Sequence, residues 1–262
     1  MKKMLLLVLV LFSTQLLHAQ NKAWRKKYDG VYNFSEGLAP VKLNGKWGFI
    51  NESGEEVIPL KYEFVHIFSE GLVQVELNSK WGFINKSGEV VIPLKYDDAG
   101  PFSEGLAPVK LNDKWGFINQ SGVIVIPIKY DYAGKFSEGL TIVILNGKWG
   151  FINKSGEVVI PLKYEYAWHF SEGLAQVELN SKWGFINKSG EVVIPLKYDD
   201  AGPFTEGLTR VELNGKWGFI NKSGVIVIPI KYDVAYIFSE GLAAVKLNGR
   251  GFYIDHNGNE IK

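Results

Sequence analysis

The chain repeats itself every 34 residues. Phe34, Phe68, Phe102, Phe136, Phe170, Phe204 and Phe238 recur without insertion, each followed by Ser or Thr and then Glu-Gly-Leu. A fixed period constrains the fold before any local pattern does, because one unit this small cannot bury its own apolar face and needs a neighbour to cover it. Val41, Leu43 and Asn44 return in every unit, and Trp47-Gly48-Phe49-Ile50-Asn51 returns at Trp81, Trp115, Trp149, Trp183 and Trp217. The last unit carries Gly251-Phe252-Tyr253-Ile254-Asp255 instead. Seven units of 34 residues, counted back from Lys262, begin at Arg25. Residues 69–102 and 171–204 differ only at Val73 against Ala175, which marks a duplicated block of three units.

Within one unit the pattern is that of strands. Leu38 to Leu43 places Ala39, Val41 and Leu43 on one face, as a half-buried strand does. Asn44-Gly45 is the preferred pair for a two-residue hairpin turn, since both positions take positive φ. Lys46 to Asn51 puts Trp47 and Phe49 on one face and Ile50 on the other, so both faces are covered. The glycine of Ser53-Gly54 recurs seven times, consistent with a left-handed turn position. Val57-Ile58-Pro59 reads as a third strand, its proline at a strand end or edge where no amide hydrogen is needed. No segment outside the N-terminus has a sustained apolar period of 3.6, so helix is not expected.

The recurring Gly-Lys-Trp-Gly-Phe-Ile-Asn, Ser-Gly, Ile-Pro and Lys-Tyr groups, set beside Phe-Ser-Glu-Gly-Leu, closely resemble the WG-repeat family, also called KWG repeats, of bacterial proteins. The resemblance covers about residues 25–262. It implies a non-catalytic, often exported β-repeat module with a role in interaction, and it supplies no catalytic residues. The expected fold is all-β, a tandem array of seven three-stranded β-meanders in an open β-repeat stack, with a closed seven-bladed β-propeller as the alternative. The polar third strand of the final unit, Asn259-Glu260-Ile261-Lys262, favours the stack, because a ring has no terminal unit to face water. A 34-residue unit is also short for the four strands of a propeller blade.

Lys2 and Lys3, the apolar run Met4 to Phe12 and the small-residue site ending at Ala19 have the order of a secretory signal peptide over residues 1–19. Residues 20–262 then form a single repeat domain, exported to the periplasm or beyond. Nine apolar residues are too few to span a bilayer, so no transmembrane span is expected in the mature chain. Strands of about six residues likewise fall short of those of a transmembrane barrel. Cleavage leaves 27 basic against 28 acidic residues, which gives no electrostatic case for nucleic acid. With no cysteine there are no disulfides, thiolate metal sites or cysteine nucleophiles.

Most repeated chemistry has a structural reading. A tryptophan recurring once per unit among apolar residues belongs to the core rather than to a sugar-stacking ladder. Seven equivalent glutamates at Glu36, Glu70, Glu104, Glu138, Glu172, Glu206 and Glu240 do not make one catalytic pair with two distinct environments. Each reads as a turn residue that accepts a local hydrogen bond or pairs with a lysine such as Lys61. His66, His169 and His256 fall at different positions in their units, so no repeated metal site is expected. No catalytic residue, cofactor or metal is assigned, and the chain is not read as an enzyme. The informative variation lies between Tyr62 and Phe68 and in the equivalent loops, which carry Phe64, His66, Tyr132, Tyr166, Trp168, His169 and Tyr236. Equivalent loops line one edge of a repeat array, so these residues form the candidate interaction edge. Its partner is read as a protein or cell-envelope component, with a glycan as the alternative.

Overall fold

The computed structural model describes residues 24–261, and the signal-peptide segment 1–19 lies outside them. Among the described residues there is one 3-10 turn, Trp24–Lys27, and no α-helix; everything else is strand, turn or short loop. Among the described residues no helix is long and apolar enough to cross a membrane. The strands form seven four-stranded antiparallel sheets, one for each repeat, and strands adjacent in sequence are neighbours in every sheet. The chain divides into two compact units between Ile128 and Lys129.

The first sheet, in the first unit, consists of Gly30–Val31, Leu38–Leu43, Lys46–Asn51 and Glu56–Tyr62. Three of these are the expected meander. The additional strand corrects the expectation of three: two residues from the variable loop, such as Gly30–Val31 or Phe64–Val65, pair with the strand that follows the Ser-Glu-Gly turn. A 34-residue unit accommodates four strands because this one is only two residues long. The turn Asn44-Gly45 has φ of 50° and 77°, the left-handed pair that the sequence called for. Glu36-Gly37 forms a second such pair, at 51° and 88°, closed by the Ser35 and Leu38 bridge.

Leu38–Leu43 differs from the half-buried strand of the sequence reading. Leu38, Ala39, Pro40 and Val41 are all buried, so both faces are covered along most of its length. The cause is the way sheets stack within each unit. Trp47, Phe49, Ile58 and Tyr62 share one face of the first sheet and pack against Val65, Val73, Val75 and Ile84 on the facing side of the second. The second unit repeats this, with Phe151, Ile160 and Tyr164 of the fourth sheet against Ala167, Ala175, Val177 and Ile186 of the fifth. A face of large rings meets a face of small and β-branched side chains, so volumes alternate across the joint and close packing follows. The opposite face of the first sheet, with Ala39, Val41 and Ile50, is covered by Trp24 and Tyr28, which are one period before Ile58 and Tyr62. These N-terminal residues serve as the terminal cap that a repeat array needs.

The Phe-Ser-Glu-Gly-Leu group ties one sheet to the next. Ser35 Oγ donates to the Phe68 carbonyl at 2.8 Å, and Ser69 Oγ to that of Phe102 at 2.8 Å. The Glu36 carboxylate accepts from the Gly71 amide at 3.1 Å and from Lys86 Nζ at 3.0 Å. Glu172 and Lys222 repeat the ion pair at 2.9 Å in the second unit. The glutamates therefore bond to the next repeat rather than locally, and their lysine is not Lys61, whose ammonium rests 5.2 Å from the Tyr62 ring. Each partly exposed pair contributes up to about 1 kcal/mol, and its repetition fixes register.

Candidate functional site

The two-residue strand aims its first residue, and the residue just after it, to the same face as the repeat tryptophan. In the second sheet Phe64 pairs with Glu76 and Glu76 with Trp81, so the row runs straight across the sheet. An aromatic line results in the first unit. Tyr32 lies 5.2 Å from Trp47, Trp47 lies 6.0 Å from Phe64, and Phe64 lies 5.8 Å from Trp81. His66 completes it, 5.2 Å from Phe64 and 5.6 Å from Trp81. The second unit has its own line, Tyr132 to Trp149 at 6.4 Å, Trp149 to Tyr166 at 4.4 Å and Tyr166 to Trp183 at 5.8 Å, with Trp168 5.6 Å from Tyr166. Tilted contacts at these spacings are the favoured geometry between aromatic quadrupoles.

The structure thus brings Phe64 and His66 together in one unit and Tyr132, Tyr166, Trp168 and His169 in the other. Tyr236 stands apart on the seventh sheet and is 60% exposed. The tryptophans depart from the core assignment. Trp47 is buried, whereas Trp81, Trp149, Trp183 and Trp217 are only partly so; the first three form the floor on which the loop aromatics lie. The deep core consists of the neighbouring Phe49, Ile58 and Tyr62 positions.

Two clefts open along these lines. In the first unit Tyr32, Pro40, Trp47, Phe64 and His66 line about 340 Å³, mainly apolar in character. In the second, Trp168, His169, Gln176, Asp200, Pro203 and Arg210 line about 490 Å³. Trp168 is held in place. With the amide of the buried Gln176 oriented as its neighbours require, Oε1 accepts from Trp168 Nε1 at 2.9 Å and Nε2 donates to the Gly202 carbonyl at 2.5 Å. The Arg210 guanidinium lies 4.6 Å from the Trp217 ring and its Nη1 donates to the Ala235 carbonyl at 2.6 Å. Gln176 and Arg210 escaped the sequence reading because they stand outside the variable loop, on the second strands of their sheets, and Asp200 because its loop carries no aromatic residue before Phe204. The available signal was Arg210 itself, in a position occupied elsewhere by Pro40, Gln74, Pro108, Ile142 or Ala244.

Both loop histidines are held below the ordinary value of 6.5. For His66 partial burial is the larger cause and the charge of Asp98 opposes it; for His169 partial burial leads and Lys135 adds to it. The unfolded chain therefore takes up protons before the folded one as the pH falls below about 6.5. Their contribution to stability is complete above that pH and is lost as the pH drops through the folded-state values. The melting temperature is expected to fall between about pH 7.5 and 5.5, and the double substitution His66→Gln, His169→Gln should flatten that interval. An unchanged slope in calorimetry would show that the rings are fully hydrated. The Asp97 carboxyl, lowered chiefly by its hydrogen bond from Lys80, titrates well below this range.

The glycine after each tryptophan explains why the pair recurs. A Cβ on Gly48 would lie 2.5 Å from the Ile58 carbonyl oxygen and 2.9 Å from the Leu60 amide nitrogen. The fourth strand bulges over this point, as the register shift between Trp47 and Phe49 records, and Pro59 sits in that bulge on a sheet edge, as expected. Tryptophan provides the ring on one face while glycine admits backbone on the other. The chain belongs to the WG containing repeat family. The family model matches residues 26–47, 47–81, 81–115, 115–149, 149–183, 183–217 and 217–250. No curated protein matches it in sequence.

Among solved structures the WG repeats are similar to a eukaryotic initiation factor, at 11% identity and a TM-score of 0.57, over 90% of this chain and 76% of that one. They are also similar to Kluyveromyces lactis Hsv2p, at 8% identity and a TM-score of 0.45, over 87% and 93% of the two chains. PorZ of Porphyromonas gingivalis, described as a bacterial surface component of the type-IX secretion system, matches at 8% identity and a TM-score of 0.38. That match covers 89% of this chain and 37% of PorZ. Likeness at these identities concerns the fold alone.

In the last WG unit the order becomes Gly251-Phe252, and the ring moves to the opposite face, where Phe252 packs 6.3 Å from Tyr232. The short final strand Glu260–Ile261 pairs only with Tyr253 and Ile254, so no bulge crowds that position. Glycine in place of the indole leaves a cleft of about 540 Å³ lined by Val234, Tyr236, Lys246, Phe252 and Tyr253. A band of exposed side chains also went unread in the sequence. Val90, Val91, Val123, Ile124 and Val125 in the first unit, and Val192, Val193, Val225, Ile226 and Val227 in the second, begin or precede the fourth strand of their sheets.

Proposed function

We propose that this protein is a non-catalytic, exported β-repeat scaffold that holds a protein or cell-envelope component along the edge formed by its two-residue strands. The observation that carries the reading is the aromatic line of the second unit, in which the exposed Tyr132 and Trp168 and the half-buried Tyr166 lie over Trp149 and Trp183. Rings already ordered against one another lose little further freedom on binding, and exposed aromatics are the residue type that dominates binding energy at interfaces. The repeated glutamates support a role without catalysis, since Glu36 and Glu172 are committed to a backbone amide and a lysine further along the chain, and Glu70 to a backbone amide and Gln120. Export rests on the charged, apolar and small-residue order of residues 1–19.

The test is the triple substitution of Tyr166, Trp168 and His169 by Ser in the mature chain. Capture of envelope components should fall by about tenfold or more while the far-ultraviolet circular dichroism is retained. Equal capture by the two folded proteins would place the binding surface elsewhere.

A further inference from the structure

The cleft beside Trp168 differs chemically from the rest of the edge. Its wall is an indole about half exposed, and its rim carries Asp200, Arg210 and His169. Asp200 Oδ1 accepts from the Ala201 amide at 2.7 Å, and its second oxygen has no hydrogen bond among the described residues. Arg210 is fixed beside it by the Trp217 ring and the Ala235 carbonyl, with Nε buried. Trp168 cannot turn away, because its N–H is tied to the buried Gln176. The cleft is thus a fixed π face with a carboxylate oxygen to spare and a guanidinium beside it, in a volume suited to a small molecule.

The three-unit duplication sharpens this. The equivalents of Trp168, His169 and Arg210 are His66, Ile67 and Pro108, whereas Phe170, Ser171, Gln176, Asp200, Ala201 and Pro203 are identical to their counterparts. In the earlier copy Gln74 Nε2 is buried without a partner, and no indole is present for its amide to hold. The two copies therefore diverge at the side chains that give the later one its ring and its guanidinium.

We infer that this cleft is a subsite for a neutral pyranose unit of a glycan. The axial C–H bonds of such a ring carry partial positive charge and lie against the negative face of Trp168. Its hydroxyls donate to the free oxygen of Asp200 at the rim. One acid and one base leave the rim without net charge, which disfavours a uronate or a sulfated sugar. This rests on the edge being a binding surface and names what one part of that surface holds.

The experiment is a titration of the mature chain with neutral trisaccharides, namely maltotriose, cellotriose, mannotriose and chitotriose, followed by tryptophan fluorescence and by saturation-transfer NMR. At least one should saturate. Trp168→Ala should weaken it by about tenfold or more, Trp168→Phe should restore most of the loss, and Asp200→Asn should weaken it with the ring in place. Position 168 is solvent-facing, so the fold survives these changes. Saturation by none of the four overturns the inference, as does binding indifferent to Trp168→Ala or a proline-rich peptide that binds there when no sugar does. Loss of envelope capture in the triple variant without any trisaccharide binding would leave the edge reading standing and remove the pyranose. Trisaccharide binding with capture unchanged would do the reverse.

Discussion

Gly150→Ala is expected to destabilise the second unit by about 3 kcal/mol and to lower its melting temperature by roughly 10 °C. An added Cβ would sit 2.7 Å from the Ile160 carbonyl oxygen and 2.9 Å from both Leu162 N and Leu162 Cα. All three atoms are backbone of the adjacent strand, at its bulge, and cannot swing aside as a flexible side chain would. Relief requires that the strand move, and that strand carries Ile160 and Tyr164 into the core shared with the next sheet. The control is Gly251→Ala, where the nearest atom is the Val245 carbonyl oxygen at 3.9 Å. That change should stay within about 0.5 kcal/mol, as ordinary surface substitutions do. Equal melting temperatures for the two variants would show that the bulge does not enforce glycine.

Phe151→Ala should cost about 3–5 kcal/mol, measured by denaturant unfolding. The ring is 1% exposed and lies 5.0 Å from Phe170, across the joint between the fourth and fifth sheets. Removing it leaves a cavity walled by two sheets that are each fixed by their own ladder, so collapse is limited. Trp149→Ala removes a larger ring and should nevertheless cost less, because that indole is partly exposed at the margin of the core and meets Tyr132 and Tyr166 at the edge. A larger loss for Trp149 than for Phe151 would return the tryptophans to the core. It would also weaken the reading of the edge as a surface poised for binding.

The candidate edge was partly legible before the fold. Phe64, His66, Tyr132, Tyr166, Trp168, His169 and Tyr236 stand out because their neighbours repeat and they do not. What they face could not be read, since Gln176, Asp200 and Arg210 occupy positions of the second strand in their sheets or of the next sheet's first. The tryptophans were misplaced for a related reason. An alternating strand specifies which face a side chain takes, but the depth of burial depends on where the next sheet ends. The sheets leave the row of Trp81, Trp149 and Trp183 at the margin of the joint and put Phe83, Phe151 and Phe185 at its centre.

Asn44-Gly45, Gly54 and the alternation through Trp47, Phe49 and Ile50 were determined by the sequence alone. Each expresses steric preferences acting over one to four residues, and these do not depend on what lies beyond the unit. The tertiary structure decided the rest. A two-residue strand such as Phe64–Val65 has no period of its own and forms only because the following strand offers it an open ladder. The bond from Glu36 to Lys86 joins residues 50 apart, and its lysine belongs to the next sheet rather than to the Lys-Tyr pair nearest in sequence. The cleft at Trp168 likewise draws its walls from two sheets. Contacts of this kind are set by how one face of rings settles on one face of small side chains, and that is a property of the stack rather than of any single repeat.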